Sequence, residues 1–234
     1  DFDYSAANLI LSSGNTDAFI ALYDTSGYPV WVKQMGGVGT ESSFAKRIAT
    51  DGNIITVAGQ MVGEIDFDPD PVDETLISSM PVNSADYFIA GYNLTGDLQW
   101  AHLIDGTGSI TWGDSSVSAT GITALAGSGS NFGGGQIDFD PGQLNSGNTA
   151  GGFIAMYAAD GTYLSAHSFD DVMNVVVKDV LWQDASTLHT SGQFRDPFDV
   201  DPSPNTYLLN LGTSSGHEIF FAAFSNLIFK TGFE

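Results

Sequence analysis

Apolar and polar residues alternate along this chain with a period of two, and no stretch keeps the three-to-four residue period of a helix. The clearest runs are AFIALY from Ala18, YFIAGY from Tyr87, GFIAMY from Gly152 and IFFAAF from Ile219. In an extended chain the second and fourth residues of such a run share one face and the third takes the other. Small polar loops with glycine follow three of the runs, at Asp24-Thr25-Ser26-Gly27, Asn93-Leu94-Thr95-Gly96 and Ala158-Ala159-Asp160-Gly161. Asx and Gly there supply the side-chain bond and the positive φ of a hairpin. A second strand is predicted next, at Val30–Lys33, Gln99–His102, Leu164–His167 and Leu227–Lys230. Third and fourth strands are predicted over 44–50 and 53–60, and again over 175–182 and 187–194. Between them the pattern is looser, with 121–126 flanked by glycine-rich loops and the run from Gly127 to Gly135 read as a long flexible loop.

This order of features recurs behind an Asp-x-Asp anchor, usually followed by Pro. The anchors are Asp1-Phe2-Asp3, Asp66-Phe67-Asp68-Pro69, Asp138-Phe139-Asp140-Pro141 and Asp199-Val200-Asp201-Pro202. They divide a single repeat domain, 1–234, into repeats 1–65, 66–137 and 138–198 and a half-repeat 199–234. Self-similarity at this period with four strands per unit predicts an all-β, β-propeller-like array of four-stranded antiparallel blades, about three and a half repeats. The anchors, the D-x-F-I-A strand, the Trp at 31 and 100 and the Gly52-Asn53-Ile54 element together resemble a bacterial secreted β-propeller repeat family (SBBP-like). That family carries DFDPG, DxFIAKYD, GxxxW and GNIxVTG motifs, and the resemblance implies a propeller in a secreted or surface protein. Only repeat 1 carries Gly52-Asn53-Ile54 intact, and Ser165 stands where the third repeat would have Trp.

Repeat 4 ends after two of its four strands, and three and a half blades do not close a ring of four to eight. A half-blade at the C-terminus exposes strand edges that pair with another chain. The expectation is self-association, as a ring of two copies or an open head-to-tail polymer. The other readings are a piece of a longer protein, or closure by N-terminal residues.

At the anchors, residues two apart in an extended segment aim the same way, about 6.5–7 Å apart. Asp66 and Asp68 thus present both carboxylates to one side while Phe67 turns to the core, and paired carboxylates repel unless a cation sits between them. Calcium takes such oxygen ligands. The predicted calcium ligands are Asp66, Asp68 and Asp70, then Asp138 and Asp140, Asp199 and Asp201, and Asp1 and Asp3; Asp73 and Glu74 add charge near the second anchor. The competing reading is an Asx-capped turn, in which the first carboxylate accepts local backbone N–H groups.

Charge narrows the partners. The 234 residues include 28 acidic and 6 basic ones, for a formal net charge of −22. Such a surface repels nucleic acid and anionic lipid, so no nucleic-acid partner and no membrane insertion are expected. The absence of cysteine rules out disulfides, thiolate metal sites and a cysteine nucleophile. The chain opens on Asp1-Phe2-Asp3 without a signal peptide, as a mature or excised product would, and an extracellular or cell-surface location is expected.

No enzyme is expected. There is no G-x-S-x-G element, and Ser109-Ile110-Thr111-Trp112 lacks the Asp and Gly of a sialidase box. Acidic pairs such as Asp170-Asp171 arise by chance among so many carboxylates. The functional expectation is a calcium-supported structural or assembly protein whose partner is itself. The alternative is a recognition propeller for a glycan or surface protein, with Trp112, read as lying in an irregular glycine-rich loop, as its ligand contact. Lys33, His102, His167 and Lys230 recur at one strand end, for which solvation, packing or pairing to a repeat Asp are the readings.

Overall fold

In the computed structural model every regular element among the described residues is a β-strand, as the alternation predicts. It describes residues 11, 15–36, 41–68, 75–79, 85–106, 108–130, 137–140, 151–169, 175–201, 206–210 and 216–225. The chain falls into two compact units, Asp1–Ile48 with Gly52–Leu103, and Ala49–Asp51 with Ile104–Glu234.

In the first unit, β1 (Ala18–Tyr23) and β2 (Pro29–Met35) form an antiparallel pair. A larger sheet has the order β3 (Ser42–Thr50), β4 (Ile54–Val62), β7 (Ala85–Asn93), β8 (Leu98–Gly106). The short pair β5 (Glu64–Asp66) and β6 (Leu76–Ser78) lies between β4 and β7 in sequence. Ala18 and Ile20 of β1 share a buried cluster with Val57 of β4 and with Phe88, Ala90 and Tyr92 of β7. The Trp31 indole N–H also donates to the Leu94 carbonyl at 3.0 Å.

The second unit repeats the scheme. Its first sheet has the order β9 (Ser109–Val117), β10 (Thr123–Ser130), β12 (Gly151–Tyr157), β13 (Tyr163–Ser168). The two-residue β11 (Ile137–Asp138) pairs with Gly106 and Asp105 at the end of β8. The other sheet has the order β14 (Val175–Trp182), β15 (Thr187–Phe194), β18 (Glu218–Ser225), with the short pair β16 (Phe198–Asp199) and β17 (Leu208–Leu209). Ile154 and Met156 of β12 share a buried cluster with Val175, Val177 and Val180 of β14 and Phe220 of β18.

Each larger sheet therefore joins two successive repeats: two strands lie before an anchor and the rest after it. The half-repeat after Asp199 is not left open where β18 lies, because β18 pairs with β15 from Thr187↔Ser225 to Phe194↔Glu218. Among the described residues β1–β2, the first two strands, form a sheet of their own.

The seam between repeats has a fixed chemistry. Gly59 faces Phe88, Gly127 faces Phe153 and Gly192 faces Phe220 across the three ladders. A Cβ on Gly127 would stand 2.6 Å from the Thr111 carbonyl oxygen and 3.0 Å from the Phe153 ring. Each glycine thus makes room for a phenylalanine lying flat across it, a pairing that also covers the bare backbone of a strand glycine. This explains why the expected looseness of repeat 2 is not observed. Gly127 and Gly129 belong to β10, paired on both sides: Gly127 stands between Trp112 and Phe153, and Gly129 between Ile110 and Gly151. Residues 131–135 of the expected loop lie outside the described residues.

The hairpins form where Asx and Gly predict them. Asp24 Oδ1 accepts the Ser26 and Tyr28 N–H groups at 2.8 and 2.9 Å, and Gly27 supplies a φ of 85°.

Gly127→Ala is expected to cost about 1–3 kcal/mol, the usual range for overpacking a tight interior. Gly216→Ala, at a position with nothing within 4 Å of an added Cβ, is expected to be neutral. Urea unfolding followed by tryptophan fluorescence checks both.

Candidate functional site

Three of the four anchors lie within the described residues; Asp1, Asp3 and Asp70, with Asp73 and Glu74, lie outside them. In each of the three, the first carboxylate is a clip on the backbone. Asp66 Oδ1 accepts the N–H of Asp68 at 2.9 Å and that of Thr75 at 3.0 Å. Asp138 Oδ1 accepts the N–H of Asp140 at 2.9 Å. Asp199 Oδ1 accepts the N–H of Asp201 at 3.0 Å and that of Tyr207 at 2.8 Å. The bond to the residue two ahead is the Asx geometry, and at Asp66 and Asp199 the same oxygen also ties the turn to the segment that returns after it.

The residue between the two aspartates turns inward. Phe67, Phe139 and Val200 are all buried. The Phe67 ring meets Phe88 at 4.8 Å and the Phe139 ring meets Phe153 at 4.7 Å, so each anchor aromatic sits against the phenylalanine of the seam. The Phe67 carbonyl accepts the Tyr92 hydroxyl at 2.9 Å, and the Phe139 carbonyl accepts the Tyr157 hydroxyl at 2.9 Å. Burial pushes both phenols well above their ordinary pKa, and the neighbouring anchor carboxylates push the same way. Both hydroxyls therefore remain protonated donors. Tyr163 follows them, pushed up to about 12 by burial and then by Asp140. In the fourth repeat Phe224 takes the place of the tyrosine and has no hydroxyl to give. The sequence pattern alone marks Tyr92 and Tyr157 only as the last aromatic of a strand; their hydroxyl bonds could be anticipated only from the period that sets each one on the Phe face.

Among the described residues no three His, Cys, Asp or Glu side chains converge as a metal site. The paired carboxylates Asp66 with Asp68, Asp138 with Asp140 and Asp199 with Asp201 offer oxygen ligands, and the first of each pair also serves the clip.

The basic strand-end positions meet different surroundings. Lys33 helps hold the Asp97 carboxyl below its ordinary pKa, behind the hydrogen bonds from Thr95 and Asn93. His102 stacks on Trp100 at 5.4 Å. His167 sits edge-on to Phe169 at 4.7 Å, and burial lowers its pKa against the pull of Asp199 and Asp201. Lys230 lies outside the described residues. Trp112 is not in an irregular loop: it is a half-buried member of β9 facing Gly127, next to a register shift in the β9–β10 ladder. Glycine-rich sequence suggested a loop there, but glycine is what the seam requires opposite large side chains.

The clip and a charge-dependent metal site respond differently to an isosteric change. Asp66→Asn keeps an oxygen that accepts the same two N–H groups, so in chelator it is expected to retain stability. Asp66→Ala strands both donors and is expected to cost about 1–3 kcal/mol. Urea unfolding of the two variants in chelator checks this; equal losses would contradict the clip.

A comparison with models of known protein families finds no match, and neither does a comparison with curated proteins.

Proposed function

We propose that this chain is an extracellular structural protein that assembles with copies of itself, built as a propeller-like array of repeats. The observation that carries the reading is the unequal use of strands. Three larger sheets join strands across successive repeats, while β1–β2 remains a two-stranded half among the described residues. An array that builds its sheets by joining one repeat to the next extends readily into another copy. The anchors support this reading as structural parts, since clip, buried aromatic and tyrosine hydroxyl all serve to hold the repeat connection.

Calcium enters through charge. Copies carrying a net charge of −22 repel one another, and a divalent cation at paired anchor carboxylates relieves that repulsion as well as cross-linking oxygens. Simple screening by salt acts on the same repulsion without occupying a site.

Solution mass by light scattering after size exclusion tests the proposal. Multimers are expected in calcium, with a smaller mass in chelator. Sodium chloride at matched ionic strength is expected to restore only part of the mass. A monomer in every buffer contradicts self-association; full recovery by sodium chloride leaves assembly standing and removes calcium ligation.

A further inference from the structure

The aromatic-rich strand of each repeat has two faces, and the interior of each unit shows what each face packs against. One face carries the second and fourth residues of the run, such as Phe88 and Ala90; the other carries the first and third, such as Ala18 and Ile20. In the first unit the Ala18/Ile20 face of β1 lies against the Phe88/Ala90/Tyr92 face of β7. In the second unit the Ile154/Met156 face of β12 lies against the sheet that contributes Phe220. The same rule therefore holds twice: the Ile face of one sheet packs on the Phe face of the next.

In β7, Asp86–Tyr92 are buried throughout, and β12 is buried along its whole length, so both faces of both strands are covered. The two end strands differ. In β18, Ile219 is 88% exposed and Phe221 68%, while Phe220 between them is 5% exposed. Leu181 of β14 opens onto the same side, since both Leu181 and Ala223 stand opposite His189. In β1–β2 the exposed residues are Phe19, Tyr23 and Val30, while Ala18 and Ile20 are buried. Thus β18 leaves an Ile face exposed and β1–β2 leaves a Phe face exposed. They are the two opposite halves of the interface that the chain already makes between its own sheets.

We infer that the outer face of β18, with Ile219 and Phe221, docks on the outer face of β1–β2, with Tyr23 and Val30, of a second copy of this chain. The inference rests on the self-association proposed above and names the surfaces that produce it. The contact is heterologous, so each copy has one donor end and one acceptor end; a chain of such contacts closes into a ring or continues as a filament. The occupant is fixed by continuity: Ile faces in this molecule are covered by the Phe face of a like sheet, and β1–β2 carries an exposed Phe face. Apolar side chains as open as Ile219 and Phe221, side by side on a strand, mark an association surface.

Two double variants test the contact. Ile219→Ser with Phe221→Ser blocks the β18 end, and Tyr23→Ser with Val30→Ser blocks the β1–β2 end. All four positions are exposed, so folding is expected to survive, with circular dichroism as the control; single substitutions Phe221→Ser and Val30→Ser serve if a double variant misfolds. Each double variant alone is expected to run as a monomer where the unaltered chain is multimeric. Mixed in equal amounts, they retain one good end each and are expected to form a dimer of twice the monomer mass and nothing larger. Variants that assemble like the unaltered chain overturn this contact while leaving self-association in place. A mixture that stays monomeric overturns the head-to-tail arrangement. A monomeric unaltered chain at all concentrations, as when both faces are covered by further repeats of the same protein, overturns both readings.

Discussion

The glycine–phenylalanine pair across each repeat junction is the constraint on which the rest of this structure depends. Among the described residues each larger sheet draws its strands from more than one repeat. The fourth strand of one repeat and the aromatic strand of the next meet at Gly59↔Phe88, Gly127↔Phe153 and Gly192↔Phe220. The ring crosses the glycine, and the anchor residue packs beneath the ring in the first two junctions, where Phe67 and Phe139 meet Phe88 and Phe153. At the third, Val200 is the smaller anchor residue, and Phe198 fills the space against Phe220 at 5.3 Å. Register follows from this, because a slip of one residue would drive a side chain into backbone and turn the strand's apolar set outward.

The Asp-x-Asp anchors are then understood as part of the junction. The chain must leave one sheet, turn, and return as the next aromatic strand. The carboxylate of Asp66 or Asp199 ties the turn to the returning segment, and the tyrosine hydroxyls of Tyr92 and Tyr157 tie the anchor carbonyl to the strand that follows. A charged residue at the surface, an aromatic in the interior and a phenol between them give one motif three attachments. The regular spacing of acidic pairs thus has a structural reason, whatever cations those pairs also attract.

Much of this was legible in the sequence because periodicity reports which face a residue takes. The aromatic strands at 18–23, 85–93 and 151–157, the strands at 175–182 and 187–194, the glycine hairpins at Gly27, Gly96 and Gly161, and the inward turn of Phe67 follow from local pattern, whereas β9 (Ser109–Val117) does not. What local pattern does not carry is pairing between strands far apart in sequence. The repeat begins at its anchor, so a unit read from one anchor to the next looks like one sheet; the ladders show the boundary falling in mid-repeat. For the same reason local pattern did not show that β18 pairs with β15 of the preceding repeat, or that β1–β2 stands as a separate two-stranded sheet among the described residues. Glycine at 127 and 129 suggested a loop because composition cannot show a phenylalanine arriving from 26 residues away to cover Gly127.

In the docking proposed above, the outer faces of β18 and of β1–β2 are the two halves of one contact between copies. Amide hydrogen exchange as a function of protein concentration tests that most directly. With assembly, protection is expected to rise together in 18–23, 29–35 and 218–225, while the internal strands 85–93 and 151–157 stay unchanged. Protection that is independent of concentration, or that rises over other surfaces instead, would contradict the account.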